Sequence, residues 1–485
     1  MSLRLGTAWS ASVTTVTVVL GANSANGHTY VKRMPKRSES RALVKTASVM
    51  ATATDRKFDL VSLGTFVVLG LPDGILGTAW PAMRHSFGAP VGALGLILLI
   101  NTIGSVAVAT FVGRLIQWLG AAAVLAVAGG CAALGGFGYA VAPGLWLVLS
   151  VGPLMGAAAG MMDGGLNTAV ALTGRPRLLN LLHGFYGVGT AIGPLMVTGA
   201  IIAGSWRPAY LVLAALDVVI ACCWIAYHRG VPAPVATASA EQARPDPDRP
   251  DPDGPDPDGP DPGGPDRAEA SGETARTTAD WSRRRVIAVL TLGLIVFFLY
   301  TGLEVSAGQW ETSYVRGHLG LSASAAGLAA FGYWGALTAV RIGLALPAKP
   351  VPAQTVIGGG LLLAIAATGL IWWQPGPVVV VLAFVVLGGA LAGVFPALIA
   401  VTPQRIGEER AQHAIAWQVG AAAAGGSGIS AVIGLLIDTT SLAVLGPAMV
   451  VLALLLFLAN VALSRLAPIQ DRPLLPDASV LDVSM

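Results

Sequence analysis

Two acids in matching surroundings are the residues of this chain best suited to chemistry. Asp73 stands in Gly70-Leu71-Pro72-Asp73-Gly74-Ile75-Leu76-Gly77, and Glu304 in Thr301-Gly302-Leu303-Glu304-Val305-Ser306-Ala307-Gly308. Each is followed four residues later by glycine (Gly77, Gly308) and soon after by tryptophan (Trp80, Trp310). The acids are 231 positions apart, so the second half of the chain repeats the first. A carboxyl inside hydrocarbon costs a few kcal/mol or more and usually marks an ion or substrate path. It can load and release a proton there; the plainer alternative is a carboxyl permanently satisfied by a neighbouring helix.

Asp163 is a third acid in an apolar run, with Asn167 on the same helix face one turn later. His183 precedes Tyr186 by three residues. Histidine titrates near neutrality and can relay protons. Asp73, Asp163, Glu304 and His183 are therefore the candidates for proton coupling. Asn101, Asn167, Tyr186, Gln309, Trp310, Trp334, Trp417 and Gln418 are the candidates for binding solute, because amides and aromatic faces suit hydroxyl-rich or cationic ligands. Tyr186 and Trp417 are also separated by 231 positions, so both are expected to face a central cavity. Core packing or an interfacial aromatic belt is the competing reading for each aromatic.

The elements that hold these residues follow from composition. The chain is 54% hydrophobic and 11% charged, where a soluble domain carries about a quarter charged residues. Apolar runs of bilayer-spanning length repeat along it. They lie roughly at 58–82, 91–115, 119–141, 145–172, 179–203, 208–227, 286–308, 322–346, 354–373, 377–401, 411–436 and 442–464. Lipid cannot satisfy free backbone groups and no alternating strand pattern occurs, so these are twelve helices of an all-α integral membrane protein. Gly156, Gly160 and Gly164 form a small-residue ridge for close packing in the fourth span.

Residues 1–57 form a basic tail, expected to be disordered, with nine Lys/Arg against Glu39 and Asp55; Met50 offers an alternative start. Residues 58–228 and 286–465 form two six-helix bundles. The segment 229–285 joins them, and residues 241–280 hold twelve acids and four Arg. Its Pro-Asp-Gly pattern predicts an extended tether. Residues 466–485 form a tail. Short connectors carry Arg114, Arg175, Arg177, Arg229, Arg341, Lys349, Arg405 and Arg410 on one side, but Arg84, Arg207 and Arg316 on the other. That bias predicts cytoplasmic termini, in the plasma membrane. Asp73, about 22 Å along its helix at ~1.5 Å per residue, falls just beyond the midplane. Glu304 is expected nearer the outer surface, and Asp163 on the cytoplasmic side of Asp73.

Cys131, Cys222 and Cys223 lie inside apolar runs and read as packing residues. No His-Glu-x-x-His, paired Cys/His set or phosphate loop after a strand occurs, so neither enzyme chemistry, a metal nor a cofactor is expected.

Six plus six helices around a central loop resemble the major facilitator superfamily. Gly113-Arg114-Leu115 and Val340-Arg341-Ile342 resemble its Gly-Arg signature, which implies that Arg114 and Arg341 act in cytoplasmic gating. The Asp before the first pair is missing, and Val340 replaces a glycine in the second. Gly70 to Pro81, Gly156 to Asn167 and Asn180 to Gly189 resemble the fucose permease group of sugar–proton symporters. In that group acids in the first and fourth helices carry the proton and contact sugar, and Asp73 and Asp163 match them. Gly189-Thr190-Ala191-Ile192-Gly193-Pro194 instead matches the core of a motif of proton-driven exporters. The resemblance implies a monomeric secondary transporter whose partners are a small-molecule substrate, protons and the lipid bilayer, with no nucleic acid. Uptake of a sugar-like solute is the first reading, and efflux of a drug or metabolite the alternative.

Overall fold

The computed structural model describes residues 37–172, 175–230, 283–345 and 351–469. By its contacts the chain divides into Met1–Ala53 and Thr54–Met485, and the site lies in the second unit. The tether lies almost wholly outside the described residues, as do residues 1–36 and 470–485. Residues 37–57, expected to be disordered, are helical. Their Ala, Lys and Arg are good helix formers.

The described residues contain fourteen α-helices and no strand. The first half runs α1 (Arg37–Phe87), α2 (Ala93–Ala109), α3 (Val112–Leu119), α4 (Ala121–Val141), α5 (Leu145–Leu172), α6 (Pro176–Ile202) and α7 (Arg207–Gly230). The second runs α8 (Arg283–Gly317), α9 (Ala323–Ala345), α10 (Ala353–Trp373), α11 (Pro377–Leu391), α12 (Val394–Ile406), α13 (Glu408–Thr439) and α14 (Leu445–Leu466). Among them, eleven spans are long and apolar enough to cross a membrane, or twelve when α2 and α3, bent by 52° at their break, count as one. The protein is a multi-pass integral membrane protein.

The second span is therefore not the straight helix expected over 91–115. At its break Phe111 N–H donates to the Val108 carbonyl, a tightened turn, and the Thr110 hydroxyl takes the Ala107 carbonyl. The seventh span also differs: α8 continues to Gly317 rather than stopping near 308, which puts Glu304 well inside the helix instead of near its outer end. The polar run Gln309 to Ser313 looks like a helix end, but it is buried against other helices.

Small residues set the packing within the first half. Side chains added at Gly156, Gly160 and Gly164 of α5 would meet Asn101 and Ser105 of α2 and Val112 of α3, so the predicted ridge lies against the broken second span. Between halves, α6 packs on α9 and α2 on α13, while α5 and α12 pack inside their own halves. The end where α1 and α8 begin is here called proximal, and the end where they finish distal. The α2–α13 contact is distal: Gly92 N–H, at the start of α2, donates to Asp438 Oδ1 at 2.9 Å.

Candidate functional site

The first half of the site is built by glycine and proline. A Cβ at Gly70 would collide with the Tyr186 carbonyl, and one at Gly189 with the Val67 carbonyl, so α1 and α6 touch backbone to backbone. Pro194 has no N–H for the carbonyl of Thr190, and Gly74 packs against that carbonyl. This approach carries the Tyr186 hydroxyl to Asp73, where it donates to Oδ2.

The second half uses a broken helix. Pro396 has no N–H for the Ala392 carbonyl, at the junction of α11 and α12. Arg341 Nε takes that carbonyl at 3.0 Å, and its Nη2 donates to Glu304 Oε1, also at 3.0 Å. The Tyr300 hydroxyl donates to the Leu391 carbonyl at 2.8 Å, and the Tyr333 hydroxyl to the Glu304 carbonyl at 2.7 Å. The Glu304 and Arg341 side chains are 12% and 24% exposed, so the pair is partly wetted.

The halves meet where α1 and α8 run side by side. Gln309 Nε2 donates to the Asp73 carbonyl at 2.8 Å, and Thr312 bonds Thr78 at 3.5 Å. Gly77 leaves room for Gln309. Asn167 Nδ2 donates to Asp163 Oδ1 at 3.0 Å, as the one-turn spacing predicts. His183 stacks edge-on against Phe66 with ring centroids 5.6 Å apart. Tyr186 lies within electrostatic reach of Asp73, Asp163 and Glu304, and His183 within reach of Asp163 and Arg341. Three carboxyls, a guanidinium, an imidazole and a phenol thus form one cluster. Asp163 and His183 are exposed, while Asp73, Tyr186, Glu304 and Arg341 are partly so, so the protein does not seal the cluster. Such a set can exchange protons and hydrogen-bond a polar solute.

Other expected residues lie elsewhere. Asn101 accepts from the Tyr139 hydroxyl at 3.1 Å and lies against the α5 ridge. Trp310 is buried, its indole donating to the Ser430 carbonyl at 3.2 Å, because α8 and α13 pack tightly there. Trp334 is buried between Gly308 and Tyr333. Gln418 is buried and takes the Thr402 hydroxyl at 3.0 Å. Trp417 is 71% exposed, whereas Tyr186 bonds Asp73. Arg114 is exposed on α3, outside the cluster. Arg341, expected to act in cytoplasmic gating, pairs with Glu304 within the cluster. Its signal was legible: it is the one charged residue in the run from Tyr333 to Leu346.

Residues 62–431 match the family described as Major Facilitator Superfamily. No curated protein matches the chain. Among solved structures, the nucleoside transporter NupG (D323A mutant) is 13% identical with a TM-score of 0.60, over 84% of this chain and 99% of that one. A D-xylose–proton symporter is 14% identical with a TM-score of 0.61, over 83% and 97%. A bacterial homologue of the human lysosomal transporter Spinster, described as inward-facing and occupied, is 10% identical with a TM-score of 0.58, over 84% and 96%. Its family match, its helical fold and a polar site between two halves together establish that the chain is a membrane transporter rather than an enzyme, and that it belongs to the major facilitator superfamily.

Proposed function

We propose that the chain is a proton-coupled secondary transporter that moves a sugar-like solute by alternating access. The observation that carries this reading is the meeting of Asp73, Tyr186, Asp163, His183, Glu304 and Arg341 at the seam of the two halves, which the protein leaves unsealed. Asp73 and Asp163 carry the proton, with His183 as relay and Glu304 held by Arg341. Loading a proton on Asp73 removes the charge that the Tyr186 hydroxyl holds, while α1 and α6 stay in contact. The halves then rock about the site, a motion common to two-fold transporters. Asn167 and Tyr186 contact the solute, and Gln309 senses it through the Asp73 carbonyl. The membrane potential supplies about 2.3 kcal/mol per charge per 100 mV.

The arginine bias among the connectors supports cytoplasmic termini in the plasma membrane, so the open face is the cytoplasmic one. The likeness of the Asp73 and Asp163 stretches to the fucose permease group, and a structural neighbour described as a D-xylose–proton symporter, support a polyhydroxylated substrate. A second reading, proton-driven efflux of a cationic solute, is favoured by three carboxyls facing one guanidinium that Glu304 already engages.

Transport of labelled monosaccharides and nucleosides into proteoliposomes, with and without a pH gradient, tests the proposal. Asp73→Asn is expected to abolish gradient-driven accumulation while sugar counterflow survives. Unchanged accumulation by that variant refutes the coupling role. If no sugar exchanges while a cationic dye leaves against its gradient, the efflux reading replaces uptake.

A further inference from the structure

A second cleft lies between the two halves at the distal end, with a volume of about 700 Å³. Arg84 and His85 enter it from the end of α1, Arg207 from the start of α7 and Arg316 from the end of α8. No Asp or Glu lines it. Among the described residues, no carboxylate pairs with His85 or with any of these three arginines. Arg207 is held in place, donating to the Ala142 carbonyl at 2.7 Å and lying 4.6 Å over the Trp206 ring. Ser313 adds a hydroxyl that is 4% exposed and has no hydrogen-bond partner.

In the sequence Arg84, Arg207 and Arg316 stand in three separate connectors. Folding draws them into one cleft that both halves line. Like charges so gathered repel, and an anion between them turns that repulsion into attraction. Guanidinium forks match the geometry of carboxylate and phosphate, and hydrogen bonds to a charged partner are the strong ones. The orphaned Ser313 hydroxyl is a further donor for such a group.

We propose that this cleft binds an oxyanion, a carboxylate or phosphate group of a free solute or of a lipid headgroup, between Arg84 and Arg207 of the first half and Arg316 of the second. The anion touches both halves only while the distal end is closed. It therefore stabilises that arrangement, as any ligand does that prefers one of two states. The site is independent of the carboxyl cluster and of what the protein transports.

The test is thermal unfolding of the full-length protein in phosphatidylcholine nanodiscs, titrated with inorganic phosphate against chloride at equal ionic strength. Phosphate is expected to raise the unfolding midpoint. R316Q weakens that response on the order of tenfold, R84Q/R316Q removes it, and R84K/R316K keeps part of it. The series is repeated with phosphatidylglycerol in the nanodisc. If the lipid headgroup is the occupant, the lipid itself raises the midpoint of the wild type but not of R84Q/R316Q, and phosphate adds nothing. If a free anion is the occupant, the phosphate response persists. A wild type that responds to neither source, or responds no more than R84Q/R316Q, overturns the proposal.

Discussion

At the residue scale, the two symmetry-related acids are held by different chemistry. Asp73 accepts from a phenol on α6, whereas Glu304 pairs with a guanidinium on α9. A phenol holds a carboxyl without neutralising it. A guanidinium neutralises it and suffers itself when the acid is removed. Truncating one partner of a partly buried ion pair costs about 1–3 kcal/mol, while replacing both by apolar groups of similar size is often neutral. Glu304→Gln is therefore expected to lower thermal stability more than Glu304→Met/Arg341→Met does, and a double-mutant cycle on unfolding midpoints checks this. Equal losses in all variants would show the pair to be energetically idle. Glu311 is the opposite case. It is 0% exposed, and neither oxygen has a hydrogen-bond partner. An unsatisfied buried polar group costs about 1–3 kcal/mol. Glu311→Leu is expected to raise the unfolding midpoint, and a fall would mean that the carboxyl holds something the fold needs.

At the element scale, backbone contact and helix breaks decide which side chains meet. Gly70 and Gly189 bring α1 onto α6, and Pro396 leaves a carbonyl at the α11–α12 junction for Arg341. Gly70→Val is thus expected to separate Tyr186 from Asp73 and to destabilise by about 1–3 kcal/mol, the usual cost of overpacking. Tyr186→Phe, which removes the hydroxyl and leaves the helices in contact, is expected to keep stability within about 1.5 kcal/mol. Comparing the two in thermal unfolding separates the packing from the bond. Asp438 caps α2 from the opposite half. Asp438→Ala removes a cap worth about 1 kcal/mol and biases the distal end toward opening. The check is the rate at which a membrane-impermeant maleimide labels a cysteine placed at Ala93, which is buried near this contact; the rate is expected to rise in the variant.

At the scale of the whole molecule, the two halves touch through α6 and α9 along their length, and toward the distal end through α2 and α13 and through α1 and α8, while α5 and α12 stay within their own halves. Water should therefore reach the cluster from the proximal side. In a protein whose native cysteines Cys131, Cys222 and Cys223 are replaced by alanine, a membrane-impermeant maleimide applied to that face is expected to label cysteine at 163 and 183 but not at 309. Labelling of 309 at the same rate would contradict the closed α1–α8 seam.

The membrane class, the helical fold, the α5 ridge and the Asp163–Asn167 bond were all legible in the residues. Apolar length and helical spacing are local properties, and lipid leaves the backbone little freedom to do otherwise. The same reasoning could not give the neighbours of Trp310, Trp334 and Gln418, because whether a polar or aromatic side chain meets a cavity or a neighbour depends on how far its helix is rotated. Only the tertiary structure decided that Arg341 pairs with Glu304, that Trp417 is exposed where Tyr186 bonds a carboxyl, and that Arg84, Arg207 and Arg316 line one cleft. Those outcomes depend on contacts between segments far apart in the chain. Such contacts are set by small residues, missing donors and the register of one half on the other, none of which has a periodic trace along the sequence.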